Sequence, residues 1–593
     1  MWRKLPRAHQ NHTIRKRLAE DGVARIRRIE ITNFRSIQRL DWFPHPGINA
    51  IIGSGDSGKS SVLDAIEWCI GARNSVPVTD ADFHNVDTEK AISITVTVGD
   101  LSGRLLNLES YGSFFRHFDA ETSTIDDEPL SGAESVLTIN LTIQADLQPI
   151  WSLVSESAAE AGKSRMLRWE DRTLVHPSRL GNYIASQLSW SRGSILHKLT
   201  AERTQTGPAL AQAARNARSA FGRITGSQFE ETLDAVKTVA GRLGLAVGDT
   251  PHATLDAHNV SLTDGAIALH DTQGVPLRSL GTGSSRLLTA GLQRFVAEEA
   301  GSSILLVDEV EHGLEPHRIR KLLGEMGYKE AEPAIQTFLT THSPVVLLEL
   351  GTPPLHVLRR KLSHHQILKV AADTQGTLRT APDAFLAESV IVCEGATEVG
   401  FVRGLDQHLE RIGKPTLFSH SVTAIDIKGG GPDSMILRGV LLAKLGYRVA
   451  VFIDADKPAS AFRVQELEDL GGRLFTWRTP RTTEGELFQS LAAPDAAALL
   501  ARAYELNPKT DDHIKSKSSG KLTYASALSA LQSSGPTESL RQTLGDTAHA
   551  CEWFKSVGKM EDAVRDIIGP GLKTADQGFS GQVAELIKWV RAC

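Results

Sequence analysis

Residues 48–70 read INAIIGSGDSGKSSVLDAIEWCI, and this stretch decides the fold class. Ile48 to Ile52 form a short apolar run ending at a glycine, the pattern of a buried strand that feeds a turn. Val62, Leu63, Ile66 and Ile70 then recur at helical spacing and give one buried face. Between strand and helix stand Gly53, Ser54, Gly55, Asp56, Ser57, Gly58, Lys59 and Ser60, followed by Ser61. This matches the phosphate-binding loop in the strand–turn–helix context its mechanism requires. Backbone N–H groups of such a loop wrap phosphate oxygens, and the helix N-terminus adds a favourable partial positive charge. Lys59 is placed to reach the β- and γ-phosphates and Ser60 to ligate Mg²⁺, so ATP and its magnesium ion are the implied cofactors.

Outward from the loop, RIRRIEITNFRSIQRL from Arg25 alternates apolar and polar residues, as do residues 91–98 and 136–143. These predict strands in an α/β or mixed-sheet lobe over residues 25–154. Residues 155–245 change to Ala-rich, charge-laced stretches such as ALAQAARNARSAFGRI, which predict a helical insert. Strand-like segments return at 253–270, and a second lobe occupies residues 246–384, with Pro353, Pro354 and the stretch to about Ala384 as its linker.

Within that second lobe, Ile304 to Val307 form an apolar run ending in Asp308 and Glu309, the Walker B arrangement. Asp308 would hold the Mg²⁺ shell, and Glu309 would orient and deprotonate the attacking water. The next apolar run, Thr337 to Thr341, ends at His342-Ser343-Pro344, where a histidine is able to sense the γ-phosphate. Buried strands often end in Asp or His for capping alone, so the weight lies in the order and spacing of the set.

Taken with Ser279-Leu280-Gly281-Thr282-Gly283-Ser284 as a degenerate signature, these motifs resemble the ABC-type heads of the SMC, RecF and Rad50 group. The resemblance implies a head-to-head homodimer in which Ser279, Gly281 and Gly283 of one subunit cap the nucleotide held by the other. Three departures bear on hydrolysis and closure: LSGGQ is reduced to SLGTGS, Asp56 replaces a common asparagine, and Glu315 stands at the D-loop position. Gln144 is the candidate Q-loop glutamine.

A second cluster begins at Val390-Ile391-Val392-Cys393-Glu394-Gly395-Ala396-Thr397-Glu398, a buried-strand run that delivers Glu394 to a turn and Glu398 to the first turn of a helix. Val451-Phe452-Ile453-Asp454-Ala455-Asp456 ends a further strand in two acids. These are hard oxygen donors of the kind Mg²⁺, Mn²⁺ or Ca²⁺ prefers, and their mutual repulsion calls for a cation. Glu484, ahead of Glu486, is a third acidic contribution, and five carboxylates suit a pair of ions. The EG-x-TE and DxD pattern resembles the TOPRIM domain of primases, topoisomerases and OLD-family nucleases. In that company a lysine often neutralises the phosphate, and Lys521 is the choice among Lys515, Lys517 and Lys521; a solvated basic loop explains that stretch equally well. The glycines of IKGGGPDSM (residues 427–435) suit close approach to a phosphate backbone or a simple turn.

The order of the two motif sets resembles the OLD (overcoming lysogenization defect) family, including Gabija-type nuclease subunits, over Arg25 to about Gln489. The implied architecture is α/β: an ABC-type, SMC/RecF-like ATPase head with a helical insert, a TOPRIM domain at 385–500, and a mostly helical region at 501–593 completing it. The implied activity is ATP-regulated, metal-dependent cleavage of DNA by two divalent cations, with Glu394 and Asp454 as catalytic residues. A homodimer or larger homo-oligomer through heads and insert is implied, and a helicase partner is allowed. Two rivals stand beside it. A topoisomerase would need a tyrosine on a DNA-gate domain, which nothing here resembles; a non-nucleolytic SMC-like clamp would leave the acidic motifs idle.

Composition sets the bounds. At 593 residues several folding units are expected, and no uncharged apolar stretch approaches the ~20 residues of a membrane span. Cys69, Cys393, Cys551 and Cys593 are scattered without a CxxC pair, which argues against a structural zinc and suits a reducing cytoplasm. With a net charge of −5, DNA must be held by local basic patches or metal ions. Residues 1–24 form one such basic stretch, read as a solvated arm or a DNA-contacting one.

Overall fold

The alternation that starts at Arg25 becomes β1 (Arg25–Phe34) and β2 (Ile37–Trp42), paired antiparallel with Phe34 opposite Ile37. The apolar run before the glycine loop is β3 (Ile48–Ile52), buried at all five positions. The structure is a computed structural model that describes residues 24–592 apart from 102, 129–131, 168, 174, 181–187, 189–195, 197–205, 226–228, 244–247, 249–252, 254–268, 301–302, 332, 362–363, 429 and 534. The basic arm and most of the strand-like stretch at 253–270 therefore lie outside the described residues.

β4 (Ile92–Gly99), β5 (Phe115–Asp119), β6 (Thr124–Asp126), β7 (Glu134–Ile143) and β8 (Pro149–Val154) join β1 and β2 in an antiparallel sheet. Its order is β2-β1-β4-β7-β5-β6, with β8 beside β7. A second sheet combines β3 with β9 (Ser178–Leu180), β10 (Ser303–Val307), β11 (Ile335–Thr340), β12 (Leu355–Arg360) and β13 (His365–Lys369). Its order is β13-β12-β3-β11-β10-β9, parallel throughout except for the β12–β13 hairpin. Parallel strands are covered on both faces, which is why β3 and β10 read as unbroken apolar runs. The helix Lys59–Ile70 fills the space between the two sheets: Val62, Leu63 and Ile66 share one core with Ile51, Leu306 and Phe338 and with Ile94, Ile139 and Leu141.

Two predicted boundaries are corrected. Residues 155–180 belong to the ATPase core and not to the insert, because Ala158, Leu167 and Val175 pack into it and β9 pairs with β10. The described helices of the insert are Thr206–Thr225 and Glu230–Leu243. The stretch after Pro353 and Pro354 is no linker: β12 pairs with β3 and β13 closes the edge of the same sheet.

A third sheet of β14 (Ser389–Cys393), β15 (Val422–Asp426), β16 (Arg448–Ile453) and β17 (Arg473–Thr476) is all parallel in the order β15-β14-β16-β17. Side chains alternate faces along each strand. Val390, Val392, Val449 and Val451 join helix Pro432–Lys444 in a core that is continuous with Ala50, Val307 and Leu339 of the second sheet. Ile391, Cys393, Ala450 and Phe452 pack the other way, onto helix Ala396–Arg411 and onto Trp553, Phe554 and Phe579. Those three come from a region that is helical from Ala493 to Arg591. Among the described residues, no helix is long and apolar enough to cross a membrane.

Candidate functional site

β3 ends at Ile52, and the chain turns through Gly53, Ser54, Gly55, Asp56 and Ser57 to Gly58 before the helix begins at Lys59. Asp56 sits at φ 55, a left-handed conformation that short polar residues tolerate. Gly58 sits at φ 95, and a Cβ there would lie 2.7 Å from Ser36 Oγ, so both backbone and space demand glycine. Lys59 is buried and donates to the carbonyl oxygens of Ser54 (2.7 Å) and Gly53 (3.1 Å). Burial pulls its ammonium down to about 8 against the opposing charges of Asp56 and Asp308. Ser60 Oγ donates to Asp308 Oδ1 at 3.1 Å, and Ser61 follows in the first turn of the helix.

Thr340 Oγ1, at the end of β11, donates to the same Asp308 oxygen at 2.6 Å and accepts the Glu309 N–H at 2.9 Å. Glu309 adopts φ 45 and keeps a half-exposed side chain. The His342 N–H donates to Glu311 Oε1 at 2.7 Å, and its ring is held below the usual imidazole range by burial and by the Lys59 charge. Lys59, Ser60, Asp308, Glu309 and His342 thus meet at the C-terminal edge of one parallel sheet, where α/β folds bind ligands.

Of the signature residues, Ser279 and Gly281 are exposed at the start of helix Thr282–Ala300. Gly283 is buried instead: a Cβ there would lie 2.6 Å from Gly313 O, which makes it a packing position within the chain. Gln144 is exposed in the β7–β8 turn, where its carbonyl accepts the Leu147 N–H.

The acidic motifs gather at the C-terminal edge of the third sheet. Glu394 follows β14 and accepts the Asp454 N–H at 2.9 Å, while Glu398 caps its own helix through the Gly395 N–H, also at 2.9 Å. Thr483 Oγ1 bridges Glu398 Oε1 (2.7 Å) and Asp454 Oδ1 (2.9 Å), and Trp477 Nε1 donates to it in turn. Burial and the charges of Glu394 and Glu484 push the Asp454 carboxyl up to about 7. Burial and Asp454 push Glu398 well above the carboxylate range. Glu484, whose Oε2 lies 3.4 Å from His549 Nδ1, raises that histidine, and the charges of Asp454 and of Asp456, exposed at the rim, add to it.

Two expectations for this cluster are corrected. Glu486 faces away from it and is saturated by Arg478, Arg481 (3.2 Å) and Ser490 (2.7 Å), because residues two apart on helix Thr483–Ser490 point to opposite sides. Lys521 is exposed in the turn after helix Thr510–Lys517; Lys555 is raised chiefly by its pair with Glu552 (2.7 Å), with a smaller contribution from Glu484. Among the described residues, no three His, Cys, Asp or Glu groups form a ready-made metal cage. Thr483 and backbone N–H groups donate to Glu398 Oε1 and Oε2, Asp454 Oδ1 and Glu394 Oε2.

Residues 48–349, just over half of the chain, match the family described as "AAA domain, putative AbiEii toxin, Type IV TA system". The chain belongs to this AAA domain family. It is also 29% identical over 85 residues to the "DNA replication and repair protein RecF" of Desulforamulus reducens, covering 14% of this chain and 22% of that protein. The RecF of Chlorobium phaeovibrioides is 36% identical over 58 residues, covering 10% and 16%. The chain therefore spans about a fifth of the length of these curated relatives. Among solved structures, the SMC head bound to the C-terminal winged-helix domain of ScpA is similar at 13% identity and TM-score 0.33, over 58% of this chain and 96% of that one. The Thermotoga maritima SMC head gives 14% identity and TM-score 0.26, over 58% and 99%.

The AAA domain holds residues that motif reading misses. Arg179 of β9 pairs with Asp64 and Glu67 (2.7 Å) and reaches Asp308 at 3.5 Å; Arg286 donates to the Glu309 and Asp308 carbonyls. Beyond the AAA domain, Thr483, His549 and Lys555 were equally unmarked. Of all these, only the helix carrying Glu484 leaves a sequence signal, since Thr482 is an N-cap that accepts the Gly485 N–H at 3.2 Å.

Proposed function

We propose that the chain is an ATP-regulated, metal-dependent DNA endonuclease of the OLD type, with a TOPRIM unit at 385–500 completed by the helices of 501–593. The observation that carries this reading is the crowding of Glu394, Glu398, Asp454 and Glu484 at one sheet edge, where Thr483 joins Glu398 to Asp454 and where burial and the charges of Glu394 and Glu484 raise Asp454 to about 7. An all-oxygen donor set with uncompensated charge suits Mg²⁺, Mn²⁺ or Ca²⁺. Glu394 and Asp454 would hold the ions, Glu398 and Asp456 would complete the set, and Glu484 would join it from the neighbouring helix. Bound divalent ions supply an activated water and charge stabilisation at the leaving oxygen. His549, whose Nδ1 lies 3.4 Å from Glu484, would supply positive charge on the same rim for a phosphodiester anion.

In the AAA domain, Lys59 and the loop N–H groups hold the triphosphate, Asp308 and Ser60 hold Mg²⁺, and Glu309 serves as base for hydrolysis. Outward-facing Ser279 and Gly281 suit a homodimer closed on nucleotide. The RecF relatives are named for DNA replication and repair, which accords with DNA as the partner.

The experiment is incubation of supercoiled plasmid with the protein and Mg²⁺ or Mn²⁺. Nicked and linear products that vanish in Asp454→Ala but persist in altered amount in Lys59→Ala support the reading; topoisomer ladders or intact plasmid refute it. The hydrogen bonds by which Thr483 ties Glu398 to Asp454 favour one second reading, an ATP-driven DNA clamp whose acidic unit is a scaffold. That reading requires ATP-dependent DNA retention without cleavage.

A further inference from the structure

Asp308 is the carboxylate assigned to the nucleotide's magnesium ion, and the two sides of its carboxyl group meet different neighbours. Oδ1 accepts hydroxyl hydrogen bonds from Ser60 and Thr340 at 3.1 and 2.6 Å. Oδ2 faces Arg179 Nη2 at 3.5 Å. Arg179 is anchored by its other nitrogen, which pairs with Asp64 and with Glu67 at 2.7 Å on the helix that follows the phosphate loop. Those two acids stand three residues apart on one helix face, so the guanidinium is gripped from the side of the phosphate loop and presented to β10.

The other cations nearby are engaged elsewhere. Lys59 turns its ammonium onto the carbonyls of Gly53 and Ser54, and Arg35 pairs with Asp64 and Asp82. Arg286 donates to the backbone oxygens of Asp308, Glu309 and Val310. Among the described residues, Arg179 is therefore the cation that faces the Asp308 carboxylate at near-contact distance. An arginine cannot lose its proton to relieve this arrangement, so its charge is permanent.

We propose that Arg179 is a built-in counter-cation: it neutralises the Oδ2 side of the Asp308 carboxylate and must yield that oxygen to the divalent ion that accompanies ATP. The 3.5 Å separation suits this role, being close enough to neutralise and too long for a strong hydrogen bond that would resist exchange. The consequence is cooperativity. A divalent ion alone must displace a fixed positive charge without help, whereas an ion carried on a triphosphate brings its own ligands and an excess of negative charge. The site thus discriminates against bare metal and binds the ion together with nucleotide. This rests on the reading of the AAA domain as an ATP–Mg²⁺ site.

The test uses the full chain with Glu394→Gln and Asp454→Asn in the background, which removes the competing acidic cluster. Mn²⁺ binding without nucleotide is measured by electron paramagnetic resonance, with thermal unfolding as a fold control. Arg179→Gln is expected to tighten Mn²⁺ about tenfold, the order expected for removing one charge at this distance in a wet site. Arg179→Lys, which keeps the charge, is expected to leave Mn²⁺ binding as weak as in the background protein. A folded Arg179→Gln protein with unchanged Mn²⁺ affinity overturns the proposal, as does an equal gain in both variants. If Arg179→Gln unfolds, Arg179→Lys alone decides: a gain in Mn²⁺ affinity overturns the proposal, and retention of weak binding together with Mn²⁺ that tightens on adding ATP supports it. Fluorescent ATP binding to the background protein in EDTA and in Mg²⁺ reports separately on whether the nucleotide site itself works.

Discussion

The guanidinium of Arg286 donates to the carbonyl oxygen of Glu309 at 2.6 Å and holds that glutamate at φ 45. Arg286 is fully buried in the helix Thr282–Ala300, so the backbone of Glu309 is braced by the element that carries the signature residue Gly283. Arg286→Ala frees Glu309 to relax toward ordinary backbone angles. The expected result is loss of ATP turnover by roughly 10²-fold, the lower end of what a positioned general base contributes, with the Kd for ATP unchanged. Steady-state hydrolysis alongside fluorescent-nucleotide binding checks it, and a matching loss of binding would contradict it.

Lys59 predicts a pH dependence. With its free ammonium near 8, bound phosphates raise it, so binding takes up a proton above that pH. ATP affinity is expected to be level below about pH 8 and to fall by up to tenfold per unit above it, while Lys59→Arg removes the fall. Titration calorimetry between pH 7 and 10 reads both.

How much of this site is legible before folding depends on how local the chemistry is. The phosphate loop is a contiguous signal, and Lys59, Asp308 and His342 come out where their strand-end positions imply. Arg179 meets Asp308 across 129 residues, and nothing around it marks it as different from any other arginine. β9 has three residues, too few to show alternation, so the insert reads as starting too early. Glu484 and Glu486 look equivalent as a string; only the helical phase of Thr483–Ser490 separates them.

That separation gives a paired prediction. Glu484→Gln is expected to weaken divalent-ion binding at the acidic cluster with little effect on stability. Glu486→Gln is expected to cost roughly 1–3 kcal/mol, because it strands Arg478 and Arg481, with the fully buried partner's penalty discounted for two partly exposed arginines. Chemical denaturation and metal titration of both variants distinguish them; the opposite pattern would reverse the assignment.

Asp454 titrates at about 7 in the metal-free fold, above its usual value of 3.8. A raised folded value stabilises below the unfolded pKa and is lost as pH climbs through the folded one, so the metal-free protein is expected to lose stability between pH 4 and 7. Mn²⁺ should restore it most strongly above pH 7, where no proton competes. Thermal melts with and without Mn²⁺ across that range read the crossing, and parallel curves would refute it.

Trp553 is fully buried in the core beneath β14 and β16 and touches Phe488 edge-on. Trp553→Ala is expected to destabilise by about 3–5 kcal/mol and to abolish divalent-ion binding at the acidic edge while sparing ATP binding. Loss of ATP binding in a still-folded variant would show the effects are not confined to that core.

The apolar layer running from Ala50 and Leu339 into Val390 and Val451 has a practical corollary for anyone dissecting the molecule. A fragment cut near residue 385 would carry a greasy underside on each piece, so halves expressed separately should precipitate or cling together instead of behaving as exchangeable modules.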